Sequence, residues 1–480
     1  MLMGTWLMVA MGLFILQIGF VLLSEYRNPS KTTAWLLIIF LFPGLGFLVY
    51  YFVAKDHRKN RKWLRRRGKR SLHRLPLRII KRIKVAKKAK EIRNSSLSRH
   101  RRLFGLLQSI PGSPITQANQ SEIYSSGKET FEAMLKAMEE AEDHIHMQFY
   151  IFRADSIGRT FQQMMIRKAK EGVKVRFLYD GLGSYDLSSQ FIRELKEAGV
   201  EVECFRPIRV SFFQKSMNYR NHRKIMVVDG RIGFLGGINV GDEYLGQDPK
   251  LGNWRDTHMK VIGDSVYFLQ HTFLEDWALV TGKKLKEASH FPEHHCEGDE
   301  QIQIIASGPD AHWDTILELY FGSISAAFRR IYIVTPYFVP DRSILMALKT
   351  AALSGVEVVI ILPGITDHPL VKWASRSYLE ELMHAGVRFY LYQSGFIHAK
   401  ILIIDDTIAS VGTANLDMRS FFDNFELNAV LFNKRSIYKL VRDFQLDLAG
   451  SKEITLSSFR RRPKLEKVKE MLARMLSPLL

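Results

Sequence analysis

Two long apolar stretches open the chain. Residues 1–24 and 32–54 carry no charged side chain. Each is long enough to cross about 30 Å of hydrocarbon as a helix. Trp6, Trp35, Tyr50 and Tyr51 suit the membrane interfaces. A short polar turn, Glu25 to Lys31, separates the runs, so the pattern predicts a two-helix transmembrane hairpin over 1–54. A cleaved signal sequence would need basic residues ahead of the apolar run, yet the first is Arg27.

Beyond residue 104 the pattern becomes one of short apolar runs alternating with amphipathic ones, and it occurs twice. Ile145-His-Met-Gln-Phe-Tyr-Ile-Phe152 resembles Ile331-Tyr-Ile-Val-Thr-Pro-Tyr-Phe338, and both read as buried strands. Helical patterns follow at 157–171 and 343–354. A second strand comes next at 173–179 and 356–362. A second helix then ends each time in Ala-Gly-Val, at Ala198-Gly199-Val200 and Ala385-Gly386-Val387, where the glycine can stop the helix. This predicts an α/β body of two repeated domains, 104–289 and 301–480, joined by a linker at 290–300. Each would hold a mainly parallel, helix-covered sheet. Only the first half carries an extra loop, about Phe205–Tyr219, rich in Arg and Phe. It reads either as a substrate or membrane contact or as a plain surface insertion.

Charge changes the picture mainly by its location. The formal net charge is +20. Between Ala54 and Leu103 stand 22 Lys or Arg against two acids, Asp56 and Glu91. The excess therefore sits in one basic juxtamembrane segment, 55–103, and the rest is neutral. A nuclease would spread basic residues around its site to track a phosphate backbone, so no nucleic-acid partner is expected. The basic run belongs on the cytoplasmic side of the membrane, and the body with it. Within it, Leu75–Lys90 spaces Ile79, Ile80, Ile83 and Ala86 helically among basic residues. Such a helix can lie on anionic lipid at about 1 kcal/mol per basic residue; the alternative is a solvated topology signal.

Cys204 and Cys296 are too few for a disulfide framework or a four-cysteine zinc cage. His290, His294, His295 and Cys296 cluster between the repeats. They lack paired metal-ligand spacing and lie among acidic residues, so they read as linker and no metal site is expected.

The candidate chemistry is also duplicated. His222-Arg-Lys224-Ile-Met-Val-Val-Asp229 is followed by Gly236-Gly237-Ile238-Asn239. His398-Ala-Lys400-Ile-Leu-Ile-Ile-Asp405 is followed by Gly412-Thr413-Ala414-Asn415. The spacings are identical, which one copy could show by chance but two with the same sequel could not. In a strand, His and Lys two apart share a face and Asp lies on the other. An imidazole can attack phosphorus or protonate a leaving oxygen. The ammonium and the Asn amide can hold equatorial oxygens as charge builds. The candidate catalytic set is thus His222, Lys224, Asp229, His398, Lys400 and Asp405, the two aspartates expected to fix backbone. Asn239, Asn415 and the Thr413 hydroxyl are candidate substrate-binding groups.

The duplicated motif resembles that of the phospholipase D superfamily. Longer strings, among them 218–230, Gly395-Phe-Ile-His-Ala-Lys400, 412–421 and Asn424-Phe-Glu-Leu-Asn428, together with two N-terminal apolar helices, are similar to the bacterial cardiolipin synthases. The resemblance covers essentially the whole chain. It implies two phospholipase D-like domains facing across a pseudo-two-fold. It also implies a phosphohistidine route from two phosphatidylglycerols to cardiolipin and glycerol, without cofactor or metal, in the bacterial cytoplasmic membrane. A hydrolase passing the intermediate to water uses the same residues and is the alternative; the acceptor stays open among phosphatidylglycerol, phosphatidylethanolamine and a small alcohol. The motifs themselves are nearly equivalent; the superfamily resemblance favours His222 as nucleophile and His398 as acid/base. Each histidine needs an orienting carboxylate. The resemblance points to Glu426 for the second copy, with Asp256 for the first and Asp242 and Glu243 as rivals. The first copy has Gly237 where the second has Thr413.

Overall fold

The computed structural model describes residues 2–25, 29–51, 101–207, 218–285, 288–293, 296–311 and 313–479, with isolated positions between 79 and 91. The first repeat supplies strands β1 (Thr116–Ser126), β2 (His144–Phe149), β3 (Lys174–Asp180), β4 (Glu201–Phe205), β5 (Ile225–Val228), β6 (Ile232–Gly236) and β7 (Trp254–Gly263). The second opens with β8 (Glu300–Ser307), β9 (Arg330–Val334), β10 (Phe338–Val339), β11 (Glu357–Pro363) and β12 (Arg388–Tyr392). It closes with β13 (Phe396–Ile397), β14 (Ile401–Ile404), β15 (Ile408–Gly412), β16 (Leu416–Asp417), β17 (Glu426–Leu431) and β18 (Ser451–Ile454).

From its centre outward the first half runs β1-β7-β6-β5-β2-β3-β4. The second runs β8-β17-β15-β14-β9-β11-β12, with β18 added at the edge. The two orders correspond strand for strand. An antiparallel pairing of β1 with β8, Thr116 against Ile302, joins them into one continuous sheet. The expected β-α-β units hold, with β2 pairing β3 and β9 pairing β11 in parallel, but neither half is mainly parallel as expected. From β1 through β7, β6 and β5 to β2, and from β8 through β17, β15 and β14 to β9, every pairing is antiparallel. The motif strands β5 and β14 return through short turns to β6 and β15, and a short turn can join only antiparallel neighbours.

Local chemistry sets these elements. Asp155 and Asp341 cap corresponding helices, 156–170 and 342–353, by accepting from the backbone N–H of Gly158 and Ile344. Gly199 and Gly386 take φ of 92° and 100° past the following helix of each repeat. There Val200 and Val387 donate back to Leu195 and Leu382, both at 3.0 Å. That left-handed turn is why Ala-Gly-Val recurs.

A central core lies between the halves, with Ile225, Met259, Ile304, Ile401 and Leu427 in one cluster. Each repeat has a second core under its outer helices. The boundary is less simple than the sequence suggests. Leu103, Phe104 and Leu107, ahead of β1, pack into the second repeat's outer core.

Two further expectations need correction. The first apolar run forms helix α1 (Leu2–Glu25), and Gly4–Ser24 is long and apolar enough to cross a membrane. The second run is not one spanning helix. Helix α2 (Pro29–Leu41) has 13 residues, about 20 Å at 1.5 Å per residue. The chain turns at Pro43-Gly44, with Gly44 at φ 80°, into helix α3 (Leu45–Val49). Proline removes a helical donor and a left-handed glycine ends the turn. Val21, Trp35, Ile39 and Tyr50 nevertheless pack together across these helices. The second correction concerns the basic segment. Its amphipathic helix falls largely outside the described residues, as does most of the 205–219 loop. Ile79 and Ala86, however, are each 1% exposed, and Ile83 packs against the central core. Those apolar positions face protein, not lipid.

Candidate active site across the two repeats

Each motif histidine sits just before its strand, and a strand of the opposite repeat clamps it there. His222 N–H donates to Phe425 O at 2.9 Å, and Asn221 bridges Phe425. His398 N–H donates to Arg255 O at 2.7 Å, next to the parallel pairing of β13 with β7. The residue after each clamp is a carboxylate. Glu426 therefore meets His222, with Nδ1 3.1 and 3.0 Å from its two oxygens. Asp256 meets His398 at 2.7 Å from Nδ1. The residues expected to orient the histidines do so, but with the assignments exchanged: each carboxylate serves the other repeat's imidazole. Asp242 and Glu243 are engaged elsewhere, on the 156–157 backbone and on Arg153.

Both carboxylates are fully buried. Burial acts to raise them, but Lys400 and His398 hold Asp256 below the ordinary range, and His222 and Lys224 do the same for Glu426. An ionised carboxylate only accepts, so each Nδ1 carries the proton and each Nε2 keeps its lone pair. Among the described residues neither Nε2 has a hydrogen-bond partner, and the side chains keep 11% and 9% exposure. Burial pushes both imidazoles down to about 4, with the neighbouring lysines adding to it. They are neutral near pH 7.

The lysines stand within the same enclosure. Lys224 Nζ donates to His222 O at 2.8 Å and lies 5.4 Å from the Tyr150 ring centre. Lys400 Nζ donates to His398 O and lies 2.9 Å from its Nδ1. Burial, and the presence of a second ammonium for Lys224, lower them to about 7 and about 8. Two ammoniums balance two carboxylates here, so an anion brought to the histidines meets no net repulsion.

The motif aspartates lie away from the histidines. Asp229 accepts from the backbone N–H of Glu142, Asp143 and His144 at 2.9, 2.8 and 2.8 Å. Asp405 repeats this with Phe328, Arg329 and Arg330 at 2.6, 2.7 and 2.8 Å. Both hold φ near +50°, which an aspartate tolerates better than most residues. They pin the start of β2 and β9 and are not positioned to touch the reacting atoms. The hydrogen bonds agree with the expectation that the aspartates fix backbone, but both stand in left-handed turns just past β5 and β14 and not on the far face of a continuous strand.

Thr413 is also corrected. Its hydroxyl donates to Glu426 Oε2 at 2.5 Å and accepts from Leu427 N–H at 2.9 Å, so it positions the carboxylate. Gly237 explains the contrast between the copies. A Cβ there would stand 2.1 Å from Asp256 Oδ1, so the shorter acid occupies the space that a threonine would need. Asn239 is tied to protein at both ends, accepting from Ile151 N–H at 3.0 Å and donating to the Tyr244 hydroxyl at 2.9 Å. Asn415 keeps a buried carbonyl oxygen without a partner among the described residues.

Several neighbours escaped the sequence reading. Tyr150 lies 5.0 Å from the His222 ring, and Trp254 5.2 Å from that of His398. Tyr337 lies 6.4 Å from the His398 ring, edge to face, and donates to Asp367. Asp180 accepts from Asn221 N–H at 3.0 Å and holds the approach to His222. Arg223, inside the first motif, pairs with Asp276 at 2.7 Å and reaches Ser307 O and Glu426 O in the second repeat. Tyr150 and Tyr337, just past the ends of the corresponding strands β2 and β9 though not at equivalent positions, were the available signal. His290, read as linker, is fully buried against His144 and His146, with ring centres 5.1 Å away. His294 and His295 lie outside the described residues.

A duplicated sheet carrying two cross-braced His-x-Lys motifs defines a phospholipase D-like body. Comparison agrees at the level of fold. The chain is similar to phosphatidylserine synthase of Haemophilus influenzae, with a TM-score of 0.62 at 15% identity, covering 79% of this chain and 100% of that one. Polyphosphate kinase of Porphyromonas gingivalis matches at a TM-score of 0.51 and 12% identity, over 74% of this chain and 52% of that one. Residues 134–251 and 320–448 match the family described as cardiolipin synthase, phospholipase D-like domain, and residues 12–55 match the phospholipase D-nuclease N-terminal family. Cardiolipin synthase of Alkalihalophilus pseudofirmus is 43% identical over 99% of this chain and 94% of its own length. The major cardiolipin synthase of Bacillus subtilis is 41% identical over 96% of each. The chain belongs to the cardiolipin synthase family of phospholipase D-like enzymes.

Proposed function

We propose that the protein is a membrane phosphatidyltransferase that joins two phosphatidylglycerol molecules into cardiolipin and releases glycerol. The observation that carries the chemistry is the pair of open Nε2 atoms, each made nucleophilic by a carboxylate on its own Nδ1. His222 Nε2 attacks phosphorus, and the bond to the head-group glycerol oxygen breaks. His398 gives that oxygen its proton. A head-group hydroxyl of the second phosphatidylglycerol then returns a proton to His398 and attacks the phosphohistidine. The P–N bond breaks, His222 is restored and cardiolipin leaves. Lys224 and Lys400 hold the equatorial oxygens. The anionic phosphodiester also raises the buried imidazoles, which lets His398 act as an acid.

The anchor comprises α1 and the broken segment 29–51, in the bacterial cytoplasmic membrane. The body lies on the cytoplasmic face, where the basic segment places it. The membrane anchor and the basic segment beside it favour a lipid acceptor over water. The test is purified protein in detergent with phosphatidylglycerol alone and no added metal. Cardiolipin with one equivalent of free glycerol is expected. Phosphatidic acid with glycerol would replace the transferase with a hydrolase.

A further inference from the structure

The last helix, Lys464–Leu476, is amphipathic the wrong way round for a soluble body. The side turned to the protein is polar. Glu470 is 2% exposed and accepts from Arg376 at 3.0 Å and Arg462 at 2.8 Å. Glu466 accepts from Trp373 Nε1 at 3.1 Å. The side turned away is apolar: Leu465, Val468, Met471, Leu472 and Met475 are all substantially exposed, Leu465 at 64%. Their spacing of three and four makes one continuous stripe. Such a stripe left in water is a mark of an interaction surface.

Its borders and position identify the occupant. Lys467 borders one side of the stripe, while Lys469 and Arg474 at its margins turn back to Glu466 at 2.9 Å and Ser377 O at 2.7 Å, so the face turned away is apolar with a basic edge, the arrangement of a helix lying in an anionic interface. The helix packs between the body and the anchor. Ser477 at its end bonds Tyr378 at 2.7 Å, and Leu479 packs against the α1–α2 cluster of Val21, Trp35 and Ile39. A cleft of about 570 Å³ between them is lined by Thr33 of α2 together with Met346, Met418 and Met475. The apolar positions of the basic segment that the structure describes are meanwhile buried in the body.

We infer that the Lys464–Leu476 helix lies in the anionic phospholipid surface of the leaflet that holds the anchor, its stripe among the acyl chains. It is a second membrane contact, and it sets the catalytic body against the bilayer beside α2.

The test uses the full chain in vesicles of phosphatidylglycerol and phosphatidylethanolamine. An environment-sensitive fluorophore is placed at Leu472→Cys, and for control at exposed Lys196→Cys, in a Cys204→Ala, Cys296→Ala background. At position 472, quenching by brominated lipid should exceed that by aqueous iodide at least threefold, and at 196 the ratio should invert. Iodide quenching at 472 equal to that at 196 overturns the inference. So does protection from both quenchers with cross-linking to a second copy, which would make the stripe an interface between copies. A second arm uses Val468→Glu with Leu472→Glu, both exposed and outside the site. KM for substrate in vesicles should rise at least tenfold, with kcat in mixed detergent micelles and Tm unchanged. An unchanged vesicle KM counts against the inference. The quenching arm needs no turnover, so it stands whichever lipid product the enzyme makes.

Discussion

In the first half of the site a glutamate holds His222, and a threonine hydroxyl holds the glutamate. In the second half an aspartate holds His398, and a backbone N–H, that of Thr257 at 2.7 Å, holds the aspartate. The strands around the two are copies. The difference lies in how far each carboxylate must reach. Glu426 is one methylene longer and leaves room for Thr413. Asp256 sits where a Cβ at 237 would be, so glycine is required. A duplicated scaffold has thus reached the same Nδ1 contact by two packings. Arg223 sharpens the contrast, because the matching position in the second motif is Ala399 and no cation crosses back from there.

The largest effects should come from removing either imidazole. His222→Ala and His398→Ala should each lower turnover by about 10⁴-fold or more, since groups acting as a unit fail together. Mass spectrometry separates their roles. A phosphatidyl adduct on His222 in the His398→Ala protein supports His222 as nucleophile, and an adduct on His398 in the reciprocal variant reverses the assignment.

Next come the crossed carboxylates. Glu426→Gln and Asp256→Asn should each cost about 10²–10⁴-fold in kcat with the fold intact, by loss of the oriented tautomer. A double-mutant cycle tests the crossing. Glu426→Gln should couple strongly to His222→Ala and weakly to His398→Ala. Equal coupling to both would break the comparison.

Arg223→Ala should lower unfolding free energy by about 3–5 kcal/mol, since it strands Asp276 as a buried unpaired charge. Ala399→Gly, its counterpart, should cost far less. Denaturant titration of the two reads the difference.

Smaller still, Gly237→Ala should lower kcat about 10²-fold by displacing Asp256, while Thr413→Val should lower it roughly 10-fold through one lost charged hydrogen bond. Thr413→Val being the more harmful would mean that space at 237 does not limit Asp256.

The pH profile sets the last and mildest distinction. Attack needs a neutral His222, so activity should fall about tenfold per unit below pH 4; glycerol departure needs a protonated His398, so activity should fall as pH rises past the value to which the bound phosphodiester raises that imidazole. The lysines must stay charged, so it should also fall above pH 7 to 8. Glu426 supports the charge on Lys224, and Glu426→Gln should therefore move the alkaline limb to lower pH. A limb that stays in place would show that Lys224 is not the group titrating.

Much of this molecule is legible in one dimension. Helix-ending glycines, buried strands and the two His-x-Lys strings are local signals, set by neighbours a few residues away. That is why the repeat, the α/β architecture and the reacting histidines can be read directly. That Asp229 and Asp405 would fix backbone was also expected, although each does so from a left-handed turn just past its strand. The break at Pro43-Gly44 was equally local, but length and apolarity outweighed it in the reading of a spanning helix.

What strings could not show is which partner each side chain meets across the seam. Glu426 stands 28 residues after His398 and 204 after His222, yet it binds the more distant one. That choice is set where β13 docks on β7 and Asn221 on Phe425, contacts that exist only between the two repeats. The inward turn of Ile79 and the outward turn of Leu472 have the same origin. An amphipathic pattern establishes that a helix has two faces; which face meets protein depends on the polar partners, here Arg376 and Arg462, that the rest of the fold presents.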